Sequence, residues 1–153
     1  MKPEFLYHGS QYILQTLIPQ QANDSTVIGS QIGIYACEHF EQVIRFAMPI
    51  RWYPDNPTGK RSWSFFHDGK LIIEHGTIDP NGIGYIYKIG SENFSKMDEW
   101  QWVSTDETNI IDSTKIEVKD YWDMILFSEE ALKANKLLYP SDTFYENKSP
   151  IKQ

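Results

Sequence analysis

The sequence predicts an α+β fold. Short β-branched and aromatic runs, separated by turn residues, recur from residue 5 to residue 118. One strongly amphipathic stretch, residues 38–48, follows directly on the run 32–37, and a second helical stretch comes only at 128–138. Strands followed by strands, with helices set apart, give an α+β layout of mostly antiparallel or mixed sheets.

In chain order, residues 5–8 (FLYH) read as a strand stopped by Gly9. Residues 11–18 are ambiguous and end at Pro19, and 20–25 are polar loop with Val27 and Ile28 as a brief strand after it. Residues 32–37 form the second strong strand. Phe40, Val43, Ile44 and Ala47 then recur at helical spacing, with Glu38, Glu41, Gln42 and Arg45 outside; the early acids suit the helix dipole and Pro49 closes the helix.

Residues 51–61 (RWYPDNPTGKR) read as an exposed loop. Residues 62–66 and 71–74 form a hairpin across His67-Asp68-Gly69-Lys70, whose Asp-Gly step suits a tight turn. Residues 79–82 are a further turn, 84–89 a strand, and 91–98 a polar stretch with Phe94 tucked in. In the strand 100–104, Trp100, Trp102 and Ser104 share one face. Residues 115–118 are a strand, 121–127 a short helix, and 128–138 a helix capped by Ser128 with Glu129 and Glu130 in its first turn. The expected organisation is one domain over 1–140 and a polar, frayed tail over 141–153.

Composition narrows the function classes. Fourteen basic residues against 21 acidic ones leave a net charge of −7, which disfavours a sequence-independent grip on nucleic-acid backbone. A nucleic-acid end or a single base stays open as substrate. An aromatic content of 14%, with five tryptophans, suits a β-rich core, a ligand cleft, or both. The single cysteine, Cys37, permits no internal disulfide and no cysteine-based zinc cluster, and reads as an inert core thiol. His67, His75 and Glu74 lack zinc-site spacing, and His39 reads as solvated. Met1-Lys2-Pro3-Glu4 runs straight into the first strand and no apolar run is long enough to span a membrane, so a cytoplasmic location is expected, with export by a signal-less route compatible. Neither a G-x-S-x-G elbow nor a G-x-G-x-x-G phosphate loop occurs.

His8-Gly9-Ser10 at the end of the first strand resembles the H-G-[ST] motif of the diphtheria-toxin-like and poly(ADP-ribose) polymerase-like ADP-ribosyltransferases. Gly33-Ile34-Tyr35-Ala36, entering a helix, resembles their G-I-Y-F-A segment. The layout is similar to that of small bacterial members such as the rifamycin ADP-ribosyltransferases. The resemblance covers 5–48 firmly and 83–126 loosely, and leaves 49–82 unmatched. It implies two short packed sheets with flanking helices and a cleft for NAD, the substrate, with no metal.

Carried over, the resemblance makes His8 a partner of a ribose hydroxyl. The Gly9 backbone would hold the nicotinamide carboxamide, with Ser10 completing the motif, and Tyr35 and Phe46 would be the two walls of the nicotinamide slot. Val43 stands where relatives carry a serine. The third member of the H-Y-E triad would be Glu99, with Glu107 as the alternative and Asp98 and Glu92 behind it. These residue types suit the chemistry: a fixed carboxylate stabilises an oxocarbenium-like state, and an aromatic sandwich holds a flat cationic ring.

Three readings follow. The first is transfer of ADP-ribose to an acceptor that is a small molecule, a protein side chain or a nucleic-acid group. The second is a non-catalytic module binding NAD, ADP-ribose or a nucleotide end. The third, RNA 2′-phosphate transfer, needs several arginines, and the chain has Arg45, Arg51 and Arg61 only. The aromatics of 51–74 (Trp52, Tyr53, Trp63, Phe65, Phe66) mark the expected acceptor region.

Overall fold

The computed structural model describes residues 2–21, 32–51, 63–139, 145–146 and 148–151. Strands β1 (Phe5–Ser10), β2 (Thr16–Leu17), β3 (Gln20–Gln21) and β4 (Ile32–Cys37) precede helix α1 (Phe40–Ala47). Then come β5 (Ile50–Arg51), β6 (Trp63–His67), β7 (Lys70–His75), β8 (Thr77–Ile78), β9 (Ile83–Gly90), β10 (Ser95–Lys96), β11 (Gln101–Ser104) and β12 (Thr108–Glu117). A 3-10 helix (Val118–Met124), β13 (Ile125–Phe127) and α2 (Glu129–Leu138) complete the order. The fold is mixed α+β with mostly antiparallel pairing. The expected strand at Val27 and Ile28, most of the loop 51–61, and residues 140–144 lie outside the described residues.

The chain divides into two compact units: residues 1–47 with 84–116, and residues 48–83 with 117–153. The first is built on an eight-stranded sheet ordered β10-β11-β4-β1-β9-β12-β2, with β3 pairing β4. Its β1/β9 register, with Leu6↔Ile89 and His8↔Tyr87, keeps the even-numbered β1 residues on one face. That face carries a buried cluster of Leu6, Leu17, Ile34, Ala36, Tyr87, Ile89, Phe94 and Trp102. The opposite face receives α1, whose Val43, Ile44 and Ala47 are buried at the predicted helical spacing.

The second unit holds a three-stranded sheet, β13-β7-β6, and a two-stranded pair, β5-β8. Asp68 and Gly69 turn the β6–β7 hairpin with φ of 50° and 71°. Two successive positive φ values define the mirror-image turn that an Asp-Gly step favours. β7 is the central strand, flanked by antiparallel β6 and parallel β13, which explains why Leu71, Ile72 and Ile73 are buried in succession rather than alternately.

Ser128 caps α2: its hydroxyl oxygen accepts from Ala131 N at 3.0 Å while the hydroxyl donates to Glu74 O at 2.7 Å. Within α2, Asn135 is fully buried. Its amide nitrogen donates to Gly76 O and Ala131 O, and its oxygen accepts from Ile78 N at 2.9 Å and lies 2.9 Å from the Tyr145 hydroxyl.

Several boundaries differ from expectation. β1 runs through Gly9 to Ser10, because β9 continues to pair with it. Trp100 sits before β11 rather than within it and is 61% exposed, while Trp102 and Ser104 do share a buried face. The helix expected over 121–127 is in part a 3-10 helix, which begins earlier at Val118 and ends at Met124, while Ile125–Phe127 joins β7 as a strand. The expected strand 115–118 is the end of the ten-residue β12. Among the described residues of the tail, Tyr145 is buried against Trp122 and Phe127, with ring centroids 5.0 and 5.5 Å away, rather than frayed. Lys148 Nζ donates to Trp122 O and Ile125 O.

Candidate functional site

The expected site residues all belong to the first unit, and β4 organises them. One edge of β4 pairs with β11 from Gln101↔Cys37 to Ser104↔Ile34. Its other edge changes partner, meeting β1 at Tyr7↔Cys37 and β3 at Gln20↔Gly33 and Gln21↔Ile32. Between those pairing points lies the Tyr35 carbonyl, and His8 Nδ1 stands 2.7 Å from it. A carbonyl oxygen only accepts, so Nδ1 carries the proton and the neutral ring presents Nε2 as an acceptor. Burial lowers the His8 pKa and outweighs the opposing pull of the Tyr35 carbonyl, so the neutral form is favoured.

His8 and Tyr35 meet through side chain and backbone, not ring to ring. Tyr35 lies between Ile34 and Ala36, both in the buried cluster, and so its ring belongs to the opposite, helix-bearing face. Gly9 shares that face. A Cβ built on Gly9 would lie 2.5 Å from Val43 O, 2.9 Å from Ala47 N and 3.0 Å from Phe46 Cβ. The glycine after the histidine thus lets α1 lie directly on β1.

Phe46 stands next to that contact, 41% exposed, with the Arg45 guanidinium 4.6 Å from its ring centroid. Val43 is buried in the helix packing. Ser10 Oγ accepts from Tyr12 N at 3.1 Å and turns the chain after β1. Tyr35, Gly9 and Phe46 are therefore gathered on one face, and His8 borders them from the other.

The carboxylates are placed apart from this group. Val103 is the residue opposite Tyr35 on β11. Glu99 precedes β11 in an exposed bend, which Asp98 holds by accepting from Trp100 N at 2.7 Å and Gln101 N at 2.8 Å. Glu107 is exposed and accepts from the Thr16 hydroxyl at 3.1 Å. Glu92 is exposed, and its backbone carbonyl accepts from Lys2 Nζ.

One carboxylate was missed by sequence reasoning. Glu38 is half-buried just after β4 and accepts from the Trp102 indole at 3.1 Å. The two residues are 64 positions apart, and no local pattern signals the contact. Beside it, burial and the Asp98 carboxylate push the Cys37 thiol up to about 11, with Arg45 opposing, which leaves a protonated, unreactive sulfur at neutral pH.

Elsewhere, His39 and His67 are exposed, and His75 Nδ1 lies 3.0 Å from Glu130 Oε2. Among the described residues, no group of three or more His, Cys, Asp or Glu side chains could hold a metal ion, and no helix is long and apolar enough to cross a membrane. No protein-family model matches the chain, no curated protein matches it, and no solved structure matches it.

Proposed function

We propose that the first unit binds NAD at the His8–Tyr35 junction and acts as an ADP-ribosyltransferase of the H-Y-E kind. The observation that carries this reading is the 2.7 Å approach of His8 Nδ1 to the Tyr35 carbonyl where β4 exchanges one edge partner for another. It fixes the imidazole tautomer and leaves Nε2 to accept from a ribose hydroxyl, the task the resemblance gives to His8. Tyr35 and Phe46 supply aromatic faces for the nicotinamide ring, with Gly9 between them on the helix side of the sheet.

In the reaction, the bond between ribose C1′ and the nicotinamide nitrogen breaks with its electron pair leaving on nicotinamide. The acceptor's lone pair forms the new bond to C1′, and the acceptor's proton is released. Glu99 is assigned to stabilise the positive charge on the ribose, a contribution of a few kcal/mol for a group held in place. The test is nicotinamide release from NAD by the wild type and by the His8→Ala and Glu99→Gln variants. Loss of release in both supports the assignment, and unchanged turnover in both overturns it.

A binding module without transfer is the second reading, and the placement of Glu99 favours it. That carboxylate lies in an exposed bend outside β11, and the strand itself brings Val103 to Tyr35. Saturable NAD binding in a calorimeter, with no nicotinamide produced in the presence of varied acceptors, would select this reading.

A further inference from the structure

β13 is the last strand on one side of its sheet, with β7 as its inner neighbour. Ser128 N donates to Ile73 O, so the even-numbered positions here turn their backbone groups toward β7, and Ile125 and Phe127 turn theirs outward. Both outward carbonyls are met from the segment 145–151. Lys148 Nζ donates to Ile125 O at 2.6 Å, and Ile151 N donates to Phe127 O at 2.9 Å. The lysine ammonium thus stands where a neighbouring strand would offer a backbone N–H.

The segment has an anchor and a latch. Tyr145 is the anchor: its ring is buried against Trp122 and Phe127 and lies parallel to Tyr139 with centroids 6.0 Å apart, and its hydroxyl donates to Ile78 O at 2.6 Å. Lys148 is the latch. Its ammonium also donates to Trp122 O at 2.7 Å and lies 5.1 Å from the Trp122 ring centroid. Glu146, Ser149 and Pro150, by contrast, are exposed. Among the described residues, the segment meets β13 through these two bonds to carbonyls. A strand added to the same edge would also accept from the N–H groups of β13 and so would hold it more fully.

We infer that the outer edge of β13 is a strand-addition site that the chain keeps filled in cis by residues 145–151. The ligand it selects is an extended peptide with a tyrosine, a lysine three residues on and an apolar residue three further. Main-chain bonds give such a site its affinity, and side-chain subsites give it selectivity. Here the tyrosine hydroxyl and the lysine ammonium each reach fixed backbone carbonyls, which a phenylalanine or a methionine would leave without a donor. The tether keeps the chain's own segment at a roughly millimolar effective concentration, so the site is shut to weak competitors.

The test uses the full chain as wild type and as Tyr145→Ala, which empties the aromatic subsite, with circular dichroism to check folding. The probe is a fluorescently labelled peptide with the sequence of residues 145–151 (YENKSPI), followed by anisotropy. Saturable binding to Tyr145→Ala is expected, with affinity for the wild type at least about tenfold weaker. A peptide carrying the Lys148→Met change should bind the variant at least about tenfold more weakly than its parent. In the wild type, the Ile151 amide should exchange with deuterium at least about tenfold faster than the amides of β7, because the segment opens without the sheet. A peptide that binds neither protein, or both equally, overturns the inference, and so does a methionine peptide that binds as well as the lysine one. Equal protection of Ile151 and β7 also overturns it, and that measurement decides the matter where Tyr145→Ala does not fold. None of these readouts involves NAD.

Discussion

His8 is held neutral by burial, and that has a consequence for stability. In the unfolded chain the ring takes up a proton near its ordinary value of 6.5, whereas the folded chain resists protonation until a lower pH. The folded state therefore binds fewer protons in that window. The contribution of His8 to stability is complete above pH 6.5 and falls as pH drops below it, at up to about 1.4 kcal/mol per pH unit. His8→Gln should flatten this slope in urea titrations at pH 7 and pH 5.5, whereas an unchanged slope would assign the pH dependence to other groups.

Asn135 is the residue-scale anchor of the second unit. Replacing it with leucine keeps the branching and heavy-atom count but strips Ile78 N and the Gly76 carbonyl of their buried partners. The cost is on the order of 3 kcal/mol, since each orphaned buried group costs roughly 1–3 kcal/mol. Chemical denaturation measures it directly, and a loss near zero would show that water replaces the amide.

At the scale of elements, α1 and the β6–β7 hairpin were legible because their causes are local. The 3.6-residue spacing of Val43, Ile44 and Ala47 needs no distant partner, nor does an Asp-Gly step with two positive φ angles. The same holds for the Ser128 cap. Residues 125–127 read as helix because their strand exists only through its parallel pairing with β7, more than fifty positions earlier. The site was partly legible for the same reason. The residues of each motif are contiguous, but the His8–Tyr35 contact spans 27 positions and the Trp102–Glu38 contact spans 64. No spacing rule reaches that far, so the sequence pointed to acids on a strand without revealing that β11 places Val103 beside Tyr35.

Gly9 shows how an element-level contact changes a residue's meaning. A methyl group at this position must displace the backbone of α1, so Gly9→Ala should destabilise the first unit by about 1–3 kcal/mol. A melting temperature within a degree of the wild type would show that α1 yields freely. Ser10→Ala, which removes only the acceptor for Tyr12 N at an exposed turn, is the appropriate control.

For the whole molecule, two compact units and a net charge of −7 frame the proposed activity. All the candidate residues fall in the first unit, where one sheet carries a buried apolar cluster on one face and α1 on the other. An acidic molecule repels polyanions at long range, so the proposed NAD site would depend on short-range contacts rather than on field. In the proposed site that affinity would come from His8, Tyr35 and Phe46. The decisive measurement is calorimetric titration of NAD into the wild type and into His8→Gln, with circular dichroism confirming that both are folded. The expected result is saturable one-site binding by the wild type and at least about a tenfold weaker affinity in the variant, the loss of one good hydrogen bond. No heat of binding to the wild type, or equal affinity in both proteins, would contradict it.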